Sequence, residues 1–118
     1  MSTKMTAKGT SFERMLADYV KSATGLPVDR RVKHGSKDEG DIAGFTIGGF
    51  DCVIECKNRR RMELAEWLDE AEAERENAEA SFGIVAHKRR GCGEKSFGDT
   101  YVTMTLDTLL DIWRVAQR

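Results

Sequence analysis

A chain of 118 residues with 40% hydrophobic and 33% charged side chains is long enough to bury one core without covalent staples and too apolar to stay disordered. Its single proline and its lack of a long biased or apolar tract exclude a collagenous, a linker-like or a helical membrane-spanning class. A net charge of −1 gives no overall attraction to a polyanion, so any phosphate binding has to come from local clusters of bases.

The first eight residues, MSTKMTAK, are small, polar and basic, and a mobile arm is expected there. They lack the apolar core of a secretion signal, so a cytoplasmic location is expected. Thr10 then opens T-x-x-E with Glu13, a capping box, and Phe12, Met15, Leu16, Tyr19, Val20 and Ala23 follow at helical spacing until Gly25 and Pro27. LPVDRRV, 26–32, alternates Val28, Arg30 and Val32 and predicts a short strand. A polar loop, HGSKDEG, leads into a second strand, DIAGFTI, and Gly48-Gly49 predicts a tight hairpin turn into a third, FDCVIECK.

A helix is expected from Met62 to about Ala80, with Leu64, Leu68, Ala71, Arg75 and Ala78 on one stripe and acids elsewhere. SFGIVAHK predicts a strand, RRGCGEKSFG a flexible loop and TYVTMT another strand. The last helix caps at Thr105 and shows Leu106, Leu109, Leu110 and Trp113 at helical spacing. The order αβββαββα, with no repeat and no linker, predicts an α/β domain in which one sheet is flanked by helices. Trp67 and Trp113 lie on helix faces, where packing or a dimer contact is the default.

The cysteines at 52, 56 and 92 are odd in number and form no CxxC pair, which favours reduced, buried thiols over a disulfide framework. The same spacing disfavours a zinc site built from Cys52, Cys56, His34 or His87.

Segment 62–80 holds Glu63, Glu66, Asp69, Glu70, Glu72, Glu74, Glu76 and Glu79 against Arg75 alone, which leaves 18 bases and 12 acids in the rest of the chain. Those bases cluster as Arg30, Arg31, Lys33, His34 and Lys37, as Lys57, Arg59, Arg60 and Arg61, and as Lys88, Arg89 and Arg90. Such runs suit phosphate contacts even when the total charge is near zero. Eight acids repel phosphate, so the acidic helix is expected to face away from any nucleic acid.

Within VIECKNRRR, residues 53–61, a glutamate and a lysine interrupt an apolar run, where charge is expensive to bury. On a strand Glu55 and Lys57 share one face and Cys56 takes the other. The Gly48-Gly49 turn brings the strand that Asp41 opens beside the strand of Glu55, so two carboxylates can meet. Two carboxylates and a backbone carbonyl suit magnesium, with manganese as its substitute. Asp38 or Glu39 are alternative ligands to Asp41, and a plain surface ion pair is the alternative for Glu55 with Lys57.

Asp41 followed after fourteen positions by Glu55-Cys56-Lys57 resembles the PD-(D/E)xK nuclease superfamily. KGTSFERMLADYV at 8–20, the GSKDEGDIAG loop, VIECKNRRR and SFGIVAHKRR together resemble archaeal-type Holliday junction resolvases and their phage-encoded relatives, over roughly residues 8–90. The resemblance implies a restriction-endonuclease-like mixed β-sheet flanked by helices, with residues 9–118 as a single nuclease domain behind the arm at 1–8. It implies Asp41 and Glu55 as metal-binding acids, Lys57 as the catalytic lysine, Glu13 as the helical acid of the site and the Cys56 carbonyl as a further ligand. Glu13 also fits a purely capping role.

The implied activity is magnesium-dependent hydrolysis of a phosphodiester in branched DNA, by a homodimer that cuts two opposed strands of a four-way junction. DNA contacts are expected from Arg30, Arg31, Lys33, His34, Ser36, Lys37, Arg59, Arg60, Arg61, Lys88, Arg89 and Arg90. Recombination and repair are the processes such an enzyme serves. A nicking or restriction-like nuclease on the same fold, and a catalytically inactive DNA-binding or protein-docking module, are the alternatives. Two departures stand out: Gly40 replaces the proline usual before the aspartate, and the acidic helix lacks the family's glutamine, with Glu72 or Glu76 nearest to its place.

Overall fold

The computed structural model describes residues 3–33 and 35–118. Helix α1, Thr3–Thr24, is followed by strands β1, Asp29–Arg30, β2, Ile42–Ala43, β3, Thr46–Ile47, and β4, Phe50–Lys57. Helix α2, Leu64–Asn77, crosses to β5, Phe82–His87, and a 3-10 segment, Glu94–Asp99, precedes β6, Tyr101–Thr103, and helix α3, Leu106–Ala116. The sheet order is β1-β2-β4-β5-β6, with β3 paired to β4 off this path. Only β4 and β5 run parallel, joined by α2, and every other pair is antiparallel. This is the mixed sheet flanked by helices that the sequence predicts. No helix of the described residues is long and apolar enough to cross a membrane.

β4 is the centre of the fold because both of its faces are covered. Cys52 and Ile54 join Phe12, Leu16, Val28, Phe82, Ile84 and Phe97 in the main core, on the side of α1 and α3. On the other side α2 seats Trp67 and Ala71 against Val85 in a smaller cluster. A glutamate and a lysine on the α2 side of a strand this enclosed are therefore not a solvated pair.

The Gly48-Gly49 turn forms as expected. Both glycines have positive φ, 58° and 85°, between the paired residues Ile47 and Phe50, which is the backbone that a two-residue hairpin with the right twist requires.

Five expectations are corrected. The first helix begins at Thr3, so residues 3–8 of the expected arm are helical, while Met1 and Ser2 lie outside the described residues. Nothing in 3–8 breaks a helix, and extending one costs far less than starting it at Thr10. Thr10 and Glu13 therefore lie inside the helix, and the capping box is not formed.

The second strand is split into β2 and β3 at Gly44, where φ is +88° and a side chain would strike the Pro27 carbonyl. The expected strand over 26–32 shrinks to Asp29–Arg30 at the sheet's edge. The loop after β5 is anchored rather than loose, since Phe97 is buried with its ring 5.8 Å from Phe12 and 5.6 Å from Tyr19. Thr105 caps α3 as expected, its hydroxyl accepting from the Thr108 amide at 3.1 Å.

Candidate active site

The alternation of β4 sends Glu55 and Lys57 toward α2, and Asp41 is brought beside them by backbone pairing. The Asp41 amide donates to the Ile54 carbonyl at 3.1 Å, and the Arg31 amide donates to the Asp41 carbonyl at 2.8 Å. Its side chain is fixed as well: Oδ2 accepts from the Cys56 amide at 2.8 Å, and Oδ1 lies 3.6 Å from Lys33 Nζ. Asp41 and Glu55 are 7% and 6% exposed, so both carboxyls are buried beside the central strand β4.

Gly40, just before Asp41, has a φ of +96°, and a Cβ there would stand 2.5 Å from Val53 Cγ1. Proline is locked near −65°. The departure from the family's proline thus reflects a backbone path that proline cannot follow.

Glu55 is held well above the usual carboxylate range by burial first, and then by Asp41 and Glu74. Its Oε2 lies 3.2 Å from Lys57 Nζ, whereas its Oε1 is buried without a partner among the described residues. Lys57 donates to Glu70 Oε2 at 2.7 Å. Burial opposes the Lys57 charge, but Glu70 and Glu55 outweigh it and raise its pKa.

Glu13, half-buried on α1, is paired with Arg30 Nε at 3.3 Å. Its pKa is raised by burial and then by the charge of Asp41, which marks it as a neighbour of the acid pair.

The acidic helix keeps most of its acids exposed but turns one of them, Glu74, onto the sheet. α2 buries Trp67, Ala71 and Glu74, one stripe at spacings of four and three, so the inward face is turned from the expected Leu64, Leu68 and Arg75 line. Glu74 is 3% exposed, and its Oε1 is a second buried oxygen without a partner among the described residues. Burial raises its pKa, the neighbouring Glu55 carboxyl partly offsets this, and Asp38 and Asp41 add to the rise. Oxygens of Glu55, Glu70 and Glu74 all lie within 4.8 Å of one another.

Glu72 instead binds Arg75 on the outer side of the helix, so it does not stand in for the missing glutamine, and Glu76 is exposed. Glu70 and Glu74 escape a reading of the sequence. Their one signal is that they sit three residues after Trp67 and Ala71, the two apolar residues that do become buried.

The bases surround this centre. β4 and β5 are parallel, with Lys57 paired to His87, so Arg59, Arg60 and Arg61 and the run Lys88, Arg89 and Arg90 leave the sheet from the same carboxyl end. The Lys88 amide donates to the Lys57 carbonyl at 3.0 Å and ties the two loops together. All six bases are exposed, and the Arg89 guanidinium stacks 5.4 Å from the Tyr101 ring.

Lys33, Ser36 and Lys37 are exposed in the loop before Asp41, Arg31 is half-buried, and Arg30 is engaged by Glu13. His34 lies outside the described residues. His87 is a strand-end residue, stacked between Trp67 and Tyr101, with Nε2 2.7 Å from the Thr103 hydroxyl. Cys52 and Cys56 belong to the opposite, core side, and burial pushes both thiols up, Cys52 to about 12.

This donor set fits a hard divalent cation. Its groups are carboxylate oxygens, and two of them are buried without the hydrogen bonds that buried oxygens normally keep. No curated protein matches the chain, and no solved structure does. The model of the family described as "Phage putative PDDEXK endonuclease" matches residues 4–117, from the start of α1 to the end of α3. With an Asp41, Glu55 and Lys57 constellation on and beside the central strand of a mixed sheet and a family match over nearly its whole length, the chain belongs to the phage PD-(D/E)xK endonucleases.

Proposed function

We propose that this nuclease is a magnesium-dependent, structure-selective endonuclease whose substrate is branched DNA, the four-way Holliday junction in particular. The observation that carries the reading is the buried pair Asp41 and Glu55 beside Lys57, with Glu55 Oε1 left without a partner among the described residues. Asp41, Glu55 and the Cys56 carbonyl would hold the cation, with Glu13 beside Asp41. When bound, magnesium supplies a lowered pKa for an attacking water and neutralises charge that grows on the phosphate.

Lys57 adds a fixed positive charge on the same face as Glu55, and its position against Glu55 and Glu70 orients the ammonium before substrate arrives. The exposed bases at 59–61 and 88–90, both at the carboxyl end of β4 and β5, would hold the DNA by its phosphates, with little reading of sequence. Cutting two opposed strands of a junction calls for two copies related by a two-fold axis. The stripe of Leu106, Leu109, Leu110 and Trp113 on α3, exposed and free of charge, offers the apolar surface such a pair would cover.

The test compares a synthetic four-way junction with linear duplex of the same sequence, in magnesium and in EDTA. The expected result is nicking of the junction in magnesium alone, and loss of cutting by at least about a hundredfold in Asp41→Asn with junction binding retained. Equal cutting of both substrates would reject the selectivity and favour a general nicking enzyme. Binding without cutting by the wild type would favour the inactive docking module.

A further inference from the structure

A row of rings crosses the α2 face of the sheet beside Lys57 and takes no part in the acid centre. Lys57 pairs in register with His87 on β5, and His87 with Tyr101 on β6, so the three side chains share one face. The Trp67 and His87 rings are 5.4 Å apart, and the His87 and Tyr101 rings 5.3 Å. Trp67 and His87 are each 4% exposed and held by packing, whereas Tyr101, at the outer end of the row on the edge strand β6, is 40% exposed.

An exposed tyrosine backed by buried rings is a stacking platform, since it offers a π-face at little cost in conformational freedom. The ring already carries a planar cation: the Arg89 guanidinium lies 5.4 Å from its centroid. A flat group therefore fits this face, and the one that fills it belongs to the exposed basic run Lys88, Arg89 and Arg90, which suits phosphate. Neighbouring strands lie about 4.8 Å apart, so the Tyr101 backbone stands roughly 10 Å from that of Lys57. Inside a duplex both faces of a base are covered by its neighbours. A base is free to take the tyrosine only where pairing and stacking are interrupted.

We propose that Tyr101 stacks a nucleobase left unpaired beside the cut phosphate, the base taking the place of the Arg89 guanidinium and Arg89 moving to the phosphate of that nucleotide. The inference rests on the reading of the chain as a nuclease for branched DNA and gives that reading its means of selection. A branch point supplies a base that can leave the stack, and a linear duplex does not. Tyr101 selects the substrate and takes no part in the hydrolysis.

The test uses the full-length protein in EDTA, so that no strand is cut, with iodouracil placed in turn at the branch-point positions of a four-way junction and at the unpaired position of a duplex with a single-base bulge. Irradiation joins iodouracil to an aromatic ring stacked on it, and mass spectrometry of the peptides locates the adduct. An adduct on Tyr101 is expected from the junction and from the bulged duplex, and none from the linear duplex. Tyr101→Leu, with folding verified by circular dichroism, should lose about tenfold to a hundredfold in affinity for both interrupted DNAs, measured by fluorescence anisotropy, with affinity for linear duplex unchanged. Tyr101→Phe keeps the ring and should bind as the wild type does.

An adduct confined to other residues, or a folded Tyr101→Leu that binds junction and bulge as tightly as the wild type, would overturn the inference and leave junction cutting to be judged by its own assay. Should Tyr101→Leu unfold, the position of the adduct in the wild type decides by itself. A junction cut no faster than linear duplex in magnesium, with the Tyr101 adduct still formed from the bulged duplex, would overturn the junction as preferred substrate and leave the platform standing.

Discussion

Raising the pH of the metal-free protein should destabilise it, because burial and the neighbouring acids favour the protonated form of Glu55. Burial, Asp41 and Glu74 raise its pKa, and burial raises that of Glu74. A folded-state pKa above the unfolded one means stability that is complete below the unfolded value, near 4.3, and is lost as pH climbs toward the folded value. The two carboxyls interact, so they count together as one retained proton. One proton held in the fold and released on unfolding lowers stability by about 1.4 kcal/mol per pH unit.

Between about pH 6.5 and 8.5 that is about 2.7 kcal/mol, or a fall of roughly 10 °C in Tm for a chain of this length. His87, whose pKa is lowered by burial, still titrates in the unfolded chain at the start of this window and opposes the trend there, so the slope is read in its upper half. Scanning calorimetry in EDTA measures the slope. Glu55→Gln should flatten it, and saturating Mn2+ should do so too, since the cation binds the deprotonated acids. A metal-free Tm that stays level or rises across this window would refute the reasoning that these acids are gathered against their own electrostatics.

Four further outcomes rest on particular residues. Gly40→Ala should lose about 2–4 kcal/mol in urea unfolding, because its φ is +96° and the new Cβ meets Val53. Phe97→Ala should lose about 3–5 kcal/mol and open the 88–100 loop to protease, since the ring packs on Phe12 and Tyr19. Replacing Arg59, Arg60 and Arg61 by alanine should weaken junction binding measured by fluorescence anisotropy and flatten its salt dependence by about 0.9 for each phosphate no longer neutralised, with cutting geometry unchanged. Trp113→Glu should give a folded monomer in sedimentation velocity where the wild type sediments as the proposed dimer, and equal masses for the two would overturn α3 as its interface.

What the sequence reveals follows the range of the forces involved. β4 is legible because period-two alternation is local and strong over FDCVIECK. The hairpin is legible because two adjacent glycines admit few backbones. Asp41 and Glu55 can be paired on paper because that turn fixes which strands are neighbours.

The start of α1 is hidden because a weakly patterned helix extends wherever no breaker stops it. The split at Gly44 depends on Pro27, seventeen positions away, which no local pattern carries. Phe97 is one aromatic in a polar run, and its anchoring needs α1. Glu74 is the most deeply hidden, since in a helix with acids all round hydrophobic periodicity cannot single out the one that turns inward. Its burial is visible only once Trp67 and Ala71 are seen against Val85.

The central claim is that Asp41 and Glu55 together hold a divalent ion beside Lys57. Crystals grown with Mn2+ and measured at its absorption edge test it directly. The account predicts an anomalous peak bonded to carboxylate oxygens of both Asp41 and Glu55, at a distance of about 2.2 Å, and its loss in Asp41→Asn. Ordered Mn2+ that touches neither residue, in crystals of protein that still cuts DNA, would contradict it.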